Sequence, residues 1–554
     1  MGKEVNKLRS VQSIAECHTY TPGCPCVVRA TGRLPCLLTI FAVIYLLLAF
    51  PALSLANPLS LGEESLEMWK AEEAMKYARE VLSQNRQSVP ALSLMGRALF
   101  YQGHYGEAIE HLEKAYSYDQ KSERIQGYLQ FIRQTHDVVK EFQTFESQHF
   151  LLKLDESKDG ILAEYALNAM EKAYETIGRD FNFFPQEKIR IEIFPDSQSF
   201  YYASSLSRRD IEVSGAIGIC KFNKIMIISP RALIQGYRWL DSLAHEYVHF
   251  AIVHLTKNRA PIWLHEGIAK YQEARWRQES SNYLNPVNES LLAHALKTDN
   301  FVTFEEMHPS LVKLDTTHKV RLAYAETASA IDFIIRLKGY EGIRKIFEVM
   351  AQFEEDGTEK AIARVMGTSL KSFEMRWKEH LKSQKLQEID GIQIEQYRVK
   401  DSSRIDEERM ALDEIKSVVA RRHALLGDML RERGRHDAAM MEYKRALSKS
   451  PYSPSILNKL GKSLILTDQK EALSHLLKAK QLYPDHVTTY TNLGHLYLQM
   501  RQYDEAEEAF EQSAQINPFD PFVHRQLAGL SERRGDLEKA SREEKISRKI
   551  VSTN

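Results

Sequence analysis

Cysteine is scarce in this 554-residue chain, and its placement says more than its count of five. Cys17, Cys24, Cys26 and Cys36 all fall near the amino terminus, and Cys24-Pro25-Cys26 has the spacing of neither a zinc knuckle nor a redox pair. Downstream only Cys220 remains, in a strand-like stretch where it reads as an inert core thiol, so residues 57–554 hold no disulfide framework. Net charge is lacking too. Lys and Arg number 74 against 75 acidic residues, which offers nucleic acid no attractive field. The basic stretch Ser541–Lys549 reads as a solvated helix face. Long apolar runs are missing except for Leu37–Phe50, which is charge-free but short for a bilayer span. Arg29 and Arg33 precede that run, and Ser54-Leu55-Ala56 follows it with small residues where a signal peptidase reads. The expectation is an exported chain, periplasmic or in a bacterial cell envelope, cleaved after Ala56. The alternative is an uncleaved anchor holding the chain to the membrane through residues 34–56. No lipobox cysteine stands directly after the run, which argues against a lipoprotein.

What is present is a compact set of metal-binding side chains. Residues 245–249 read His-Glu-Tyr-Val-His, and Glu266 follows in Leu264-His265-Glu266-Gly267-Ile268-Ala269. Helix positions i and i+4 share a face, so His245 and His249 can aim both imidazoles at one point. Glu246 neighbours the first histidine and can reach a metal-bound water rather than the metal. The run Leu240–Leu255 has helical apolar spacing, Pro261 breaks it, and Ile262 opens a second helical segment. A second helix carrying Glu266 can supply a third, anionic ligand and leave one zinc position open, which is the arrangement catalysis needs. One zinc ion per chain is expected. His254 is excluded as third ligand under the metzincin spacing, because Ile252 stands where that pattern requires glycine. His265 points about 100° away from Glu266 on the same helix and reads as a neighbour of the site.

The pair His-Glu-Tyr-Val-His and Trp-Leu-His-Glu-Gly-Ile-Ala resembles the gluzincin branch of zinc metallopeptidases, the peptidase MA-like group, over roughly residues 141–385. The resemblance implies that His245, His249 and Glu266 bind zinc and that Glu246 is the general base. Chemistry of this kind uses a zinc-polarised carbonyl and a zinc-acidified water, whose proton passes through the glutamate to the leaving amine. Helical tyrosines downstream donate to the oxyanion in similar enzymes; Tyr324 is the candidate here, against a plain half-buried core tyrosine. In such enzymes a strand before the zinc helix forms the sheet edge on which an extended peptide lies. Gly215 and Ala216 are candidates for substrate binding there, with an ordinary strand-and-turn role as the other reading. The related aminopeptidases carry an amine-gripping Glu where this chain has Gly218, which favours an endopeptidase.

Around this domain the sequence is helical. Gly427, Gly461 and Gly494 recur every 33 to 34 residues, followed by Ala439, Ala472 and Ala506 and closed by Pro451, Pro484 and Pro518. This pattern resembles the tetratricopeptide repeat, and Gly96, Gly103, Tyr105, Ala108 and Ala115 repeat it before the catalytic region. The expected fold is multidomain α+β: a zincin-like domain of mixed sheet, metal-binding helix and helical subdomain, with all-α repeats at both ends. The expected division is 1–56 signal peptide or anchor, 57–140 N-terminal repeat helices, 141–385 metallopeptidase-like domain, 386–417 charged linker and 418–554 C-terminal repeats. Two functions stand. One is an exported zinc endopeptidase whose repeats recruit protein substrates or partners. The other is an interaction scaffold of the cell envelope whose metallopeptidase-like domain turns over little or nothing.

Overall fold

Strand Phe150–Leu154 (β2) alternates buried and half-buried residues, as a chain packed on one face must, while Lys224–Ile228 (β5) is buried throughout. With Gln143–Glu146 (β1), Ile189–Phe194 (β3) and Gly218–Lys221 (β4) they form a mixed five-stranded sheet of order β1-β2-β3-β5-β4. The inner pairs β2–β3 and β3–β5 are parallel, and the outer pairs are antiparallel. Helix Leu162–Phe181 (α1) makes the crossover between β2 and β3, burying Leu162, Ala166, Met170, Ala173 and Ile177. This computed structural model describes residues 57–204, 206–353, 357–400 and 412–553. The expected signal or anchor at 1–56 and residues 401–411 of the expected linker lie outside them. Among the described residues no helix is long and apolar enough to cross a membrane.

The fold is mostly helical around this small sheet. Within Ser214–Ile228, β4 and β5 are joined at Phe222 and Asn223, both left-handed with φ of 57° and 56°. Two left-handed central residues make a hairpin whose twist matches its strands. Gly215 and Ala216 differ from expectation: they precede β4 rather than lying in it. Gly215 caps helix Arg208–Ser214 in the left-handed conformation at φ 72°, and Ser214 Oγ accepts from the Ala216 N–H.

The helical repeats follow from close approach. Gly427, Gly461 and Gly494 face Tyr443, Leu476 and Phe510 of the next helix, with no room for a side chain between. The repeats also dock on the sheet domain. From the amino-terminal side, Tyr105 donates to Glu192 on β3 and accepts from Lys224 Nζ on β5 at 2.9 Å. From the carboxy-terminal side, Arg238 bonds Asp485, Gln512 and the Pro484 carbonyl, and Tyr237 N–H donates to the Ile516 carbonyl. Residues 386–400, expected as part of a charged linker, are instead a packed strap. Ile392, Ile394, Tyr397 and Val399 give it apolar surface to bury, and Val399 bridges antiparallel to Leu233.

Candidate metal centre

Helix Trp239–Thr256 (α2) is buried on almost every side, through Leu243, Tyr247, Val248, Ala251 and Ile252 among others, so its position is over-determined by packing. Asp241 in its first turn accepts from Trp276 and from two nitrogens of Arg277. The i,i+4 spacing brings the rings of His245 and His249 to 4.8 Å between centroids. Pro261 then caps the start of helix Ile262–Gln272 (α3), which carries Glu266. Helix Thr317–Met350 (α4), capped by Thr316 and broken at Gly339, packs against α3. Gly267 permits that approach: a Cβ there would lie 2.7 Å from the Thr327 carbonyl oxygen. With α3 pressed onto α4, the Glu266 carboxylate is turned back towards α2.

One oxygen of Glu266 then faces both imidazoles. Oε2 lies 3.4 Å from His245 Nε2 and 3.6 Å from His249 Nε2, and it is buried without a hydrogen-bond partner. A tetrahedral zinc ion with nitrogen and oxygen ligands at 2.0–2.2 Å sets its ligand atoms about 3.3–3.6 Å apart. The oxygen is therefore too far from both nitrogens for good hydrogen bonds, at separations that suit a shared zinc ion. Burial raises the Glu266 pKa, but His249 and His245 outweigh it and hold the carboxylate well below its usual range. His245 is pushed up to about 10, because Glu266 and Glu273 overcome the opposing effect of its burial. At neutral pH the metal-free set is thus an anionic glutamate beside a protonated His245, and a divalent cation would take the place of that proton.

Glu246 also lies near both histidines, its carboxylate within 4.8 Å of the imidazole donors. It is turned to the sheet edge, where the Cys220 N–H donates to it. Burial raises its pKa, against the pull of His249 and His245. β4 is the outermost strand, and its register with β5 directs the backbone groups of Gly218 and Cys220 to the open edge. Gly218 supplies a steric fact that the sequence could not show: a Cβ there would sit 2.7 Å from Glu246 Oε1. No acid can stand at 218 while Glu246 holds its place. Cys220, half-buried beside Glu246, has its thiol pKa raised by burial and by that carboxylate.

Tyr324 on α4 reaches the same site, its ring 6.4 Å from that of His245. Burial and the charges of Glu266 and Glu246 raise its pKa, so it keeps its proton. Gly215 and Ala216 lie outside this cluster, just upstream of the edge strand. Two further residues back the imidazoles, and sequence reasoning missed the first of them. Glu273 Oε2 lies 3.4 Å from His245 Nδ1, while Lys270 Nζ donates to its other oxygen at 2.5 Å. Glu273 stands seven residues after Glu266, two turns along the same face, and that spacing is the available signal. His265 Nδ1 lies 3.4 Å from His249 Nδ1, and burial with His249 lowers its pKa to about 3, so it is a neutral partner of the second histidine. Each imidazole thus has one nitrogen facing Glu266 and the other held from behind.

Comparison with known proteins agrees with this layout. The family profile of the Peptidase MA superfamily matches residues 168–383, and tetratricopeptide repeat profiles match residues 89–122, 427–466 and 487–520. Type IV pilus assembly protein PilF of Pseudomonas aeruginosa is 34% identical over 113 residues, which is 20% of this chain and 44% of that protein. The chain thus spans less than half of that relative. Among solved structures, a thermophilic TPR protein of Thermus thermophilus shares 24% identity over 23% of this chain and 72% of its own, with a TM-score of 0.22. MamA 41-end from Desulfovibrio magneticus RS-1 shares 18% identity over 27% of this chain and 88% of its own, with a TM-score of 0.23.

Proposed function

We propose that this chain, which carries a Peptidase MA superfamily domain between tetratricopeptide repeats, is a zinc-dependent peptidase with a zincin-like catalytic domain. The observation that carries the reading is the single buried oxygen of Glu266 set 3.4 and 3.6 Å from two imidazole nitrogens with no bond of its own. His245, His249 and Glu266 would hold the ion, with Glu273 and His265 fixing the imidazoles from behind. A zinc ion so held supplies Lewis-acid polarisation of a carbonyl and an acidified water. The rest falls to the protein. Glu246, buried and raised in pKa, takes a proton from water and returns it to the leaving amine. Tyr324, protonated in its buried setting, donates to the oxygen on which negative charge develops. The open edge of β4 pairs with an extended peptide through the backbone of Gly218 and Cys220. With glycine at 218 there is no acid to grip a free amino terminus, which favours bonds remote from that end. The repeats bind protein partners, a role consistent with their likeness to a pilus assembly protein, and we place the chain in a bacterial periplasm or envelope.

The test is made on the full chain. Elemental analysis should give about one zinc per chain, and a mixed peptide library should be hydrolysed. Glu246→Gln should keep the metal and lose hydrolysis by roughly a factor of 10² to 10⁴, the usual share of general acid–base catalysis. Zinc-replete protein that cuts nothing, with Glu246→Gln indistinguishable from it, would leave the scaffold reading in place.

A further inference from the structure

The strap 386–400 touches both the segment leading into β4 and helix α4, each time three residues before a residue of the metal centre. On the sheet wall, Tyr397 lies over Gly215, so that a Cβ on that glycine would be 3.4 Å from its ring. Gly215 is three residues before Gly218, the residue that abuts Glu246. On the helical wall, Arg321 donates to the Glu395 carbonyl at 3.5 Å and lies 6.0 Å from the Tyr397 ring centroid. Arg321 is three residues before Tyr324 and shares its face of α4, as does Thr317, whose hydroxyl accepts from Gln396 at 3.0 Å. Tyr397 is fixed from behind by Tyr237, at 5.8 Å between ring centroids, and Val399 by its bridge to Leu233. Three residues span about 5 Å of helix and at most about 10 Å of chain. An extended peptide rising about 3.3 Å per residue therefore has room for roughly two residues between the reacting bond and the strap.

The charge at this end wall has one sign left over. Glu273 is engaged by Lys270 and His245, and Asp485 by Arg238. Burial, with the charges of Asp485 and Glu414, raises Glu395 to about 8 against the pull of Arg321, so it is largely protonated at neutral pH. Arg321 forms no ion pair among the described residues; its bond to the strap is to a carbonyl. A guanidinium at the blind end of a peptide cleft recognises a carboxylate, by charge-assisted and bidentate hydrogen bonds.

We infer that the strap is the end wall of the substrate cleft and that Arg321 binds the carboxyl terminus of the substrate, so that the enzyme releases short fragments, about two residues long, from peptide carboxyl ends. The inference rests on the peptidase reading above and narrows it. Arg321 and Tyr397 are specificity-determining residues, remote from the bond that breaks.

The experiment uses the full zinc-loaded chain and one N-acetylated decapeptide, as the free acid and as the carboxyl-terminal amide, with products identified by mass spectrometry. The acid should lose a fragment of about two residues first, and the amide should be cut on the order of ten- to a hundredfold more slowly in kcat/KM, the worth of a hydrogen bond to a charged group. Arg321→Gln should bring the acid down to the rate of the amide. Tyr397→Gly should shift cutting inward. Internal cuts at equal rates on acid and amide would overturn the inference while sparing the peptidase. A silent wild type beside an active Tyr397→Gly would overturn it too, since the strap would then be a plug. A second arm measures Kd for both peptides on Glu246→Gln. Acid-selective binding abolished by the added Arg321→Gln supports the inference even if hydrolysis is never seen, and equal binding overturns it.

Discussion

Two of the buried polar clusters in this molecule are finished differently. In the cluster where the amino-terminal repeats dock, Glu192 spends one oxygen on Tyr105 and the other on Lys224 at 2.6 Å, while Lys224 also reaches the Tyr105 hydroxyl. Lys224 outweighs burial and keeps Glu192 below its ordinary pKa. These three side chains satisfy one another, while Arg190 beside them keeps guanidinium nitrogens without a partner and brings a charge but no converging acceptor. At α2 and α3 the corresponding atoms stand apart, and the carboxylate oxygen at the focus has no partner. Buried polar atoms are costly when unmade. A cluster that is closed reads as an element of the fold, and one held open with its donors converging reads as a site.

The largest expected effect breaks the closed cluster. Glu192→Leu leaves Lys224 and Arg190 as buried cations without their carboxylate, and Arg190 already has guanidinium nitrogens without partners. Loss of one partner from such a pair costs about 3–5 kcal/mol. Thermal unfolding should drop accordingly, with zinc content of the folded fraction unchanged. If zinc were lost as readily as stability, the two clusters would not be separable.

The open site was the more legible of the two in sequence. Its ligands sit at i and i+4 on one helix and after a proline on the next, and such spacing survives without knowledge of the fold. The repeats were legible for the same reason, since a period of 33 to 34 residues is written locally. Long-range contacts were not. Nothing in the local pattern says that Tyr105 meets Glu192, 87 residues on, or that Arg238 meets Asp485, 247 residues on. Residues 386–400 looked like a connector because their charges and an Asp-Gly pair mask four spaced apolar side chains. Gly215 and Ala216 looked like strand because a helix of seven residues before them is too short to leave a clear period.

His486 sharpens the comparison, because it is an orphan outside any site. It is buried, and neither ring nitrogen has a partner. Burial lowers its pKa to about 4. The sign follows from linkage: the unfolded imidazole takes up a proton near its ordinary 6.5 and the folded one only near 4. The folded state therefore loses stability as pH falls through that window, by about 3 kcal/mol in all. His486→Phe should flatten the difference between denaturant midpoints at about pH 7 and about pH 4.5 relative to wild type. An unchanged difference would mean that the ring is hydrated or paired. No second donor converges on it, so metal should bind there with no detectable affinity, and orphan status alone does not make a site.

The smallest effect tests what holds the open site open. Glu273 reaches His245 from behind at 3.4 Å and is itself gripped by Lys270. Burial raises its pKa, but Lys270 and His245 outweigh this and hold it down at about 2, so it is ionised throughout the working range. An ionised acceptor at Nδ1 holds the ring with Nε2 facing Glu266, and it would make that nitrogen the more basic ligand once a metal takes the place of its proton. Glu273→Gln keeps the shape and removes the charge, so zinc affinity should fall on the order of 10- to 100-fold in competition with a chelator of known strength. The unfolding midpoint of the metal-free protein should fall as well, because the charge that Lys270 and His245 hold down is lost, but by less than in Glu192→Leu, since Lys270 keeps some access to water. The closed cluster has no such separation, since there every atom lost is a bond of the fold. If Glu273→Gln lowered the metal-free midpoint as Glu192→Leu does and left zinc affinity alone, Glu273 would belong to the first kind of cluster and not the second.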